Sequence, residues 1–370
     1  MLLSDASSSH GLFRRLHLDP PLLAALLVLA AVGLVILYSA VNQNETQMWR
    51  QASRLAISFG VMLLFAQIAP DTLLRWTHWI FAAGLIMLIA VLVFGDTGKG
   101  AQRWLRLGTI RFQPSELMKL AVPMMVAWYL AEKPLPPRFT HLIVAALIAL
   151  VPTLLIAKQP DLGTALLIAA SGIFVLLFAG LQWRIIGIAS VLAVPAAWLL
   201  WSFGMHDYQR RRVLTFLDPE NDPLGSGYHI IQSKIAIGSG GTYGKGWLNG
   251  TQSHLEFLPE RHTDFIFAVF GEEFGFVGIL LLLSLYLFIV LRGLYIATQA
   301  QDAFSRLLGG ALTMTFLIYI FVNIGMVSGL LPVVGVPLPL ISFGGSSMVT
   351  LMASFGILMS IHTHRKLLKD

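Results

Sequence analysis

Long apolar stretches alternate with short polar ones along almost the whole chain. Crossing a bilayer core of about 30 Å takes a helix of about 20 apolar residues, and runs of this kind recur, whereas alternating segments of about ten residues do not. The pattern predicts an all-α integral membrane protein with about ten transmembrane helices, near residues 21–41, 54–69, 76–95, 115–131, 141–157, 163–180, 184–204, 265–295, 304–329 and 342–362.

One sizeable stretch, 205–263, lies outside these spans. We interpret residues 1–370 as a single polytopic membrane domain with 205–263 as its large loop between spans 7 and 8. The loop contains "IGSGGTYGKGWLNG", whose six glycines allow tight turns and close approach of backbones. It matches neither G-x-G-x-x-G nor the P-loop, in which Ser or Thr would follow Lys245, so no nucleotide site is expected.

Composition agrees with the membrane interpretation. The 370 residues are 56% hydrophobic and 12% charged, whereas soluble domains carry about 25% charged residues. There is no cysteine, which excludes disulfides, cysteine-bound zinc and thiol catalysis. The first apolar run is longer than the core of about 7–15 residues found in signal peptides, so we expect an uncleaved first span.

The distribution of lysine and arginine suggests an orientation. Ten of these residues cluster in 96–114 and 205–263, on the face that carries the long segments. Long segments cross the membrane largely regardless of charge, and when these two are set aside the remaining cations favour cytoplasmic N- and C-termini. The clustered cations then lie on the outer side of the membrane, where we expect the functional site.

Ionisable residues inside spans are candidates for function by default. Glu116 and Lys119, three residues apart, share one face if the segment is helical. They are either an internal ion pair or a site in which Lys119 meets an anionic substrate. Pro114 and Ser115 suit a helix start, which would point the positive end of the helix dipole at the same place.

Two other charged stretches have both a structural and a functional interpretation. Asp161 in "QPDLGT" is a good helix N-cap. The run "HDYQRRR", which includes Gln209 and Arg210, is either an interfacial helix on anionic headgroups or an arginine clamp for phosphate. The residues themselves do not separate these alternatives.

Asp264 in "PERHTDFIFA" has apolar residues directly after it. A carboxylate there is either the N-cap of the following helix or a general base at the membrane surface. Glu272 and Glu273 lie further inside the same span and need partners.

Taken together, the motifs resemble the SEDS family (shape, elongation, division and sporulation) over nearly the whole chain. The resemblance rests on "GAQRWL", "RFQPSELMK", "QPDLGT", "HDYQRRRVLTFLDP", "YHIIQSKIAIGSGG", "LPERHTDFIFA", "EEFGFVG" and "PVVGVPLPLISFGGSS". The stretch "HDYQRRRV" and the short N-terminus favour the elongation branch over the division branch.

The resemblance implies a ten-helix glycosyltransferase of the bacterial inner membrane whose active site faces the periplasm. Members polymerise lipid II through β-1,4 links, with polyprenyl pyrophosphate as leaving group, and work with a class B penicillin-binding protein among other membrane proteins of the elongation complex. The family's catalytic aspartate matches Asp264, and its polar cavity residues match Arg111, Gln113, Glu116, Lys119, Asp161 and Gln209.

The resemblance also suggests dependence on a divalent cation, Mg²⁺ or Mn²⁺, but the sequence offers scattered carboxylates and no metal motif. No organic cofactor and no nucleic-acid partner are expected. Lipid II and membrane lipids are the small molecules that we expect the protein to bind. Two other functions fit the same features. A flippase for lipid-linked precursor would share the internal charges and kinked helices, and a non-catalytic scaffold for the transpeptidase would need none of the charged residues for chemistry.

Overall fold

The computed structural model describes residues 16–98, 101–107, 110–205, 207–221, 225–254 and 260–364. Six of the lysines and arginines that the orientation prediction counts lie outside these ranges: Arg14, Arg15, Lys99, Arg365, Lys366 and Lys369. The helices are α1 (Pro20–Ala40), α2 (Glu45–Ala66), α3 (Pro70–Phe94), α4 (Pro114–Ala131), α5 (Phe139–Lys158), α6 (Leu162–Phe178), α7 (Trp183–Leu199), α8 (Asp207–Leu217), α9 (Ser226–Ser239), α10 (Thr251–His254), α11 (Ile266–Thr298), α12 (Ala303–Val327) and α13 (Ser346–Thr363).

Each of the ten predicted spans coincides with a long helix. Within the described ranges, seven of these helices are long and apolar enough to cross a membrane. Among the other three, α6 has only 17 residues, and α4 carries Glu116 and Lys119 in its first two turns. The chain is therefore a multi-pass, almost entirely helical membrane protein, and the count of ten spans stays a prediction.

A small antiparallel sheet lies between α3 and α4 and was not predicted. Its strands are β1 (Asp96–Gly98), β2 (Ala101–Leu107) and β3 (Ile110–Phe112), in the order β1-β2-β3. These strands are too short to show a clear alternation of apolar and polar residues, and they contain no long apolar run. The sheet ends two residues before α4 begins, so it holds Gln113 beside the start of that helix.

The large loop 205–263 is more ordered than its turn-rich sequence suggested. It contains α8, α9 and α10, and a short π-helical turn, Leu200–Gly204, leads into it from α7. Helix α9 packs against α11 and α12, which places much of this segment over the ends of the membrane helices.

Helix α12 is the central element. It packs against α4, α6, α9, α11 and α13, and two thirds of its most apolar window is buried. A helix surrounded in this way can present side chains to several neighbours at once, and two of its buried polar residues, Tyr319 and Asn323, lie one turn apart on one face.

Helix α11 is broken at Gly275, whose φ of 63° and ψ of −165° are not helical. At the break, two backbone N–H groups and two carbonyls of α11 lose their hydrogen-bond partners within the helix. The glycine segment (Gly240–Gly246) supplies partners for all four. Lys245 N and Gly246 N donate to the carbonyls of Glu272 and Glu273 at 3.0 Å each. In return, Phe276 N and Val277 N donate to the carbonyls of Gly241 and Thr242 at 2.9 and 3.0 Å.

This exchange explains why the segment is rich in glycine. A Cβ at Gly244, whose φ is +79°, would overlap the backbone of Glu273, and a Cβ at Gly240 would overlap the carbonyl of Gly271. Broken helices are tolerated at membrane depth only where other protein groups satisfy the freed backbone. Here one loop satisfies all four groups.

Candidate active site

Glu116 and Lys119 form a buried ion pair at the start of α4. Lys119 Nζ lies 2.7 Å from Glu116 Oε1, and the two residues are 7% and 6% exposed. Pro114 occupies the first helical position, as predicted, and Glu116 lies in the first turn, where the helix dipole favours an anion. The internal ion pair is thus confirmed. The alternative, in which Lys119 meets an anionic substrate, stays a prediction.

Two polar atoms at this helix start stay without a partner in the described part of the chain, Ser115 Oγ and Glu116 Oε2. Buried polar atoms are rarely left without hydrogen bonds, so a donor from a ligand fits beside them. The same pair also contacts α12, because Lys119 Nζ lies 5.2 Å from the ring centre of Tyr319.

Asp161 caps α6 and also gathers side chains from two other elements. Its Oδ1 accepts from Thr164 N at 3.3 Å, which confirms the predicted N-cap. Its Oδ2 accepts from Gln113 Nε2 at 3.3 Å and lies 3.6 Å from Arg103 Nε. Arg103 also donates to the carbonyl of Pro160 at 2.6 Å. The sheet is thereby fixed to the start of α6.

Sequence reasoning assigned no role to Arg103, although the residue stands in the quoted "GAQRWL". Nor did it name Arg106, which lies directly opposite Arg111 across β2 and β3. Both Arg106 and Arg111 are exposed. Like charges at directly opposed positions repel, and an anionic ligand would relieve that repulsion. Because these strands are short, the sequence carried no clear signal that the two arginines are paired.

Asp264 lies in a turn that precedes α11, and the turn is held by its own polar groups. Thr263 donates its backbone N–H to the carbonyl of Glu260 at 3.0 Å and its hydroxyl to Glu260 Oε2 at 2.7 Å. The N-cap position of α11 is Phe265. The alternative in which Asp264 caps the helix is therefore wrong, since the turn places it one residue too early.

Two further elements hold the Asp264 turn from outside. Asn323 Nδ2 donates to the backbone carbonyl of Asp264 at 2.9 Å, and Phe343 N donates to the carbonyl of His262 at 2.8 Å. The ring of Phe343 also lies under the guanidinium of Arg54, 4.4 Å from its centre. Asp264 itself is half-buried.

Residues 333–336 connect the separate clusters. A Cβ at Gly335 would lie 3.4 Å from Asp264 Oδ2, and one at Gly163 would lie 3.0 Å from the carbonyl of Val334. The carbonyl of Val333 accepts from Arg212 at 3.2 Å. The start of α6, the Asp264 carboxylate and the arginine helix therefore meet at this segment. It carries no polar side chain, and sequence reasoning gave it no role.

Gln209 and Arg210 lie on α8 with different surroundings. Gln209 is buried and lines an open, mainly apolar pocket of about 480 Å³ together with Lys158, Leu162 and Gly204. Arg210 donates to the carbonyl of Ser202 at 3.0 Å, in the π-helical turn. Arg212, which belongs to the predicted arginine run but was given no role of its own, contacts the 333–336 segment.

Glu272 and Glu273 have structural partners. Glu272 Oε1 accepts from Lys245 Nζ at 2.7 Å, Gln252 N at 3.0 Å and Thr251 Oγ1 at 3.1 Å. Glu273 accepts from the hydroxyl of Ser39 near the end of α1. Both carboxylates lie beside the break in α11, where they bind the glycine segment and α1 to it.

Comparisons with a family model and with known proteins relate this chain to one family. The family model for FtsW, RodA and SpoVE, described as cell cycle protein, matches residues 20–367. The peptidoglycan glycosyltransferase MrdB of Escherichia coli K12 is 54% identical over 366 residues, with 99% of each chain covered.

Two solved structures are similar over nearly the whole chain. A chain from a peptidoglycan synthase complex that coordinates polymerization and crosslinking has a TM-score of 0.82 and 34% identity, and the match covers 95% of this chain and 99% of that one. The crystal structure of the Rod shape determining protein RodA from Thermus thermophilus has a TM-score of 0.71 and 28% identity, with 94% and 98% covered.

Proposed function

This chain belongs to the FtsW, RodA and SpoVE family of cell cycle proteins, and from that premise we propose that it is a peptidoglycan glycosyltransferase. In this proposal it joins lipid II disaccharides by β-1,4 links into glycan strands during cell elongation. The 54% identity to MrdB and the likeness to a rod shape determining protein support the elongation role.

The observation that carries the proposal is that one face of α12 contacts both Lys119 and the turn that bears Asp264. Tyr319 contacts Lys119, and Asn323, four residues later, binds the backbone of Asp264. Residues four apart on a helix lie on one face, one turn of about 5.4 Å apart along the axis. In this proposal Lys119 acts on the departing pyrophosphate and Asp264 on the acceptor hydroxyl, and the two contacts of α12 support their cooperation in one site.

Asp264 is the general base in this proposal. It takes the proton from the 4-hydroxyl of the acceptor N-acetylglucosamine as that oxygen attacks C1 of the donor N-acetylmuramic acid. The C1–O bond to the polyprenyl pyrophosphate breaks on the opposite face, which inverts the configuration and gives the β link. General-base catalysis of this kind contributes about 10²–10⁴-fold to the rate.

The cationic side chains stabilise the departing pyrophosphate. Lys119 and the exposed pair Arg106 and Arg111 are suited to this role, because charge that develops on the leaving oxygens is stabilised by positive groups already in place. Glu116 Oε2, buried and without a described partner, accepts a donor from the substrate. Gln113 and Asp161 hold the sheet that carries the arginines.

The apolar part of the substrate needs a site inside the membrane. The pocket of about 480 Å³ beside Gln209 is lined mainly by α5 side chains, among them Val151, Leu154 and Leu155. Such a lining suits a polyprenyl chain. Gln209 and Lys158 are the polar residues of this lining, and Gln209 lies on α8, so in the proposal the headgroup lies toward the arginines of α8.

The described residues of the site do not form a binding site for a divalent cation. In the described ranges no group of three or more His, Asp or Glu side chains could hold a metal. The nearby carboxylates of Glu116 and Asp161 already face Lys119 and Arg103. This donor set does not fit a metal site made by the protein alone, so no step is assigned to a metal. Dependence on Mg²⁺ or Mn²⁺ stays a proposal that rests on the family resemblance.

The orientation and partners follow from the same proposal. Both termini are cytoplasmic in the inner membrane, and the Asp264 face lies in the periplasm, where the sheet and α8–α10 extend. The partner is a class B penicillin-binding protein, and other membrane proteins of the elongation complex join it. Similarity to a chain of a peptidoglycan synthase complex supports this partner.

A flippase for lipid-linked precursor is the second candidate, and the break in α11 is the observation in its favour. Discontinuous helices form substrate and ion sites in many transporters. In α11, however, the glycine segment already binds the four freed backbone groups. The break is therefore better explained as a rigid structural feature than as a substrate or ion site of a transporter.

Polymerisation of labelled lipid II by the purified full-length protein tests the proposal, with and without its penicillin-binding partner. We expect glycan strands. Movement of lipid II across liposomes without any strand formation would favour the flippase instead.

A further inference from the structure

We propose that Asn323 is a positioning residue for the glycosyl transfer, which fixes the backbone of Asp264 and thereby aims its carboxylate. The inference rests on the proposed role of Asp264 as general base. It concerns a residue in the middle of an apolar helix that nothing in the sequence pattern singled out.

Asn323 makes two hydrogen bonds with the same amide nitrogen. Its Nδ2 donates to the carbonyl of Asp264 at 2.9 Å and to the carbonyl of Val336 at 2.7 Å. The orientation of the amide follows from chemistry, because both neighbours are acceptors and only the nitrogen can donate. Asn323 is 0% exposed, so water does not substitute for these bonds.

The two acceptors belong to the two segments that border the carboxylate. Asp264 is in the turn before α11, and Val336 follows Gly335, whose added Cβ would lie 3.4 Å from Asp264 Oδ2. One side chain on the central helix therefore fixes both the residue that bears the carboxylate and the wall beside it. The backbone of Asp264 is outside regular helix, so its position depends on such contacts.

The carbonyl oxygen of the same amide is buried and has no partner among the described residues. A buried asparagine with an unused acceptor is costly in an apolar helix. The two hydrogen bonds that its nitrogen donates to the carbonyls of Asp264 and Val336 offset part of that cost.

Asn323→Ala removes both bonds, and Thr315→Val serves as the matched control. Thr315 is also buried on α12, two turns away, and its hydroxyl donates to the carbonyl of Ala311 at 2.7 Å. A displacement of a catalytic group by about 1 Å can lower a rate by about 10²-fold. We expect Asn323→Ala to lower kcat by about 10- to 100-fold and to change KM by less than about threefold. Thr315→Val should stay within about twofold of wild type.

Asn323→Ser keeps one donor and should retain an intermediate kcat. It also answers the question if Asn323→Ala does not fold. A kcat for Asn323→Ala and Asn323→Ser no lower than that of Thr315→Val would overturn the inference, as would a rise in KM with kcat unchanged. Wild-type activity in Asp264→Asn, measured in the same assay, would instead overturn the proposed function itself, so the two failures are distinguishable.

Discussion

The ammonium of Lys119 lies 2.7 Å from the carboxylate of Glu116 in the first two turns of α4, where both side chains are buried. Two explanations fit this pair, mutual neutralisation and service to a substrate. They predict the same result for a single replacement and different results for the double replacement.

Removing one partner should destabilise the protein strongly under either explanation. Lys119→Ala leaves Glu116 charged and buried, which costs about 3–5 kcal/mol when a buried pair is broken. The paired replacement Lys119→Met with Glu116→Gln should recover most of that stability, measured by thermal unfolding in detergent. If the pair serves the substrate, the stable double variant still polymerises lipid II at least about 10²-fold more slowly. Wild-type polymerisation by the double variant would assign the pair to stability alone.

The anchoring of the loop before the Asp264 turn gives a second prediction. Glu272→Ala removes the acceptor shared by Lys245, Thr251 and Gln252. The three donors are half-buried or exposed, so each lost hydrogen bond costs about 0.5–1.5 kcal/mol rather than the full penalty of a buried donor. We expect faster amide exchange and faster proteolysis across residues 245–254, with the membrane helices α12 and α13 unchanged. Equal protection of this segment in Glu272→Ala and wild type would contradict the anchoring role.

The glycine segment permits a matched pair of substitutions. Gly244→Ala adds a Cβ that overlaps the backbone of Glu273 at a φ of +79°, whereas Gly238 has open space around its Cβ position on α9. The left-handed conformation costs about 1–2 kcal/mol for a residue with a Cβ, and the overlap adds to it. Thermal unfolding should therefore show a loss of about 2 kcal/mol or more for Gly244→Ala and none for Gly238→Ala. Equal stability of the two variants would mean that the segment does not seal the break in α11.

A histidine cluster at one end of the bundle gives a pH dependence. The rings of His17 and His364 stack with centres 3.8 Å apart, and Asp19 beside them binds Arg292 and His362. Burial, and then the charge of His364, lower the pKa of His17 below 6.5. The unfolded chain then binds more protons than the folded chain just below pH 6.5, so folding stability falls as pH falls through that window. The difference in melting temperature between pH 7.5 and 5.5 should be smaller in His17→Gln than in wild type. An unchanged difference would exclude His17 as a contributor.

Removal of divalent cations separates a substrate-bound metal from a protein-bound one. An excess of chelator should lower polymerisation if the family's metal dependence extends to this chain. It should leave the melting temperature of the substrate-free protein unchanged, because the described carboxylates of the site are paired with cations. Full activity in chelator would remove the metal from the reaction, and a lowered melting temperature would indicate a metal site in the protein itself.

The sequence predicted the features whose signals are local. Apolar length located the helices, the spacing of three residues between Glu116 and Lys119 predicted their contact, and "QPDLGT" predicted the cap at Asp161. Family motifs indicated Asp264 as the base, which stays a prediction. The ion pair and the cap each depend on residues within about one helical turn, and each apolar run is one continuous stretch of sequence.

Long-range contacts were not predictable from such patterns. Asn323 is one polar residue in a long apolar helix and binds a carbonyl 59 positions away. Residues 333–336 act through backbone carbonyls and the absence of a side chain at Gly335, for which composition gives no signal. The match between Gly240–Gly246 and the break at Gly275 depends on backbone pairing, in which the glycines only remove obstacles.

Comparison of wild type with Asp264→Asn tests the central claim most directly. The two side chains have nearly the same shape, and the backbone contacts from Asn323 and within the turn should persist, so the variant should fold and bind lipid II. The account predicts that polymerisation of labelled lipid II falls by about 10²–10⁴-fold in Asp264→Asn, with little change in substrate binding. Glycan strands made at the wild-type rate by Asp264→Asn would contradict it.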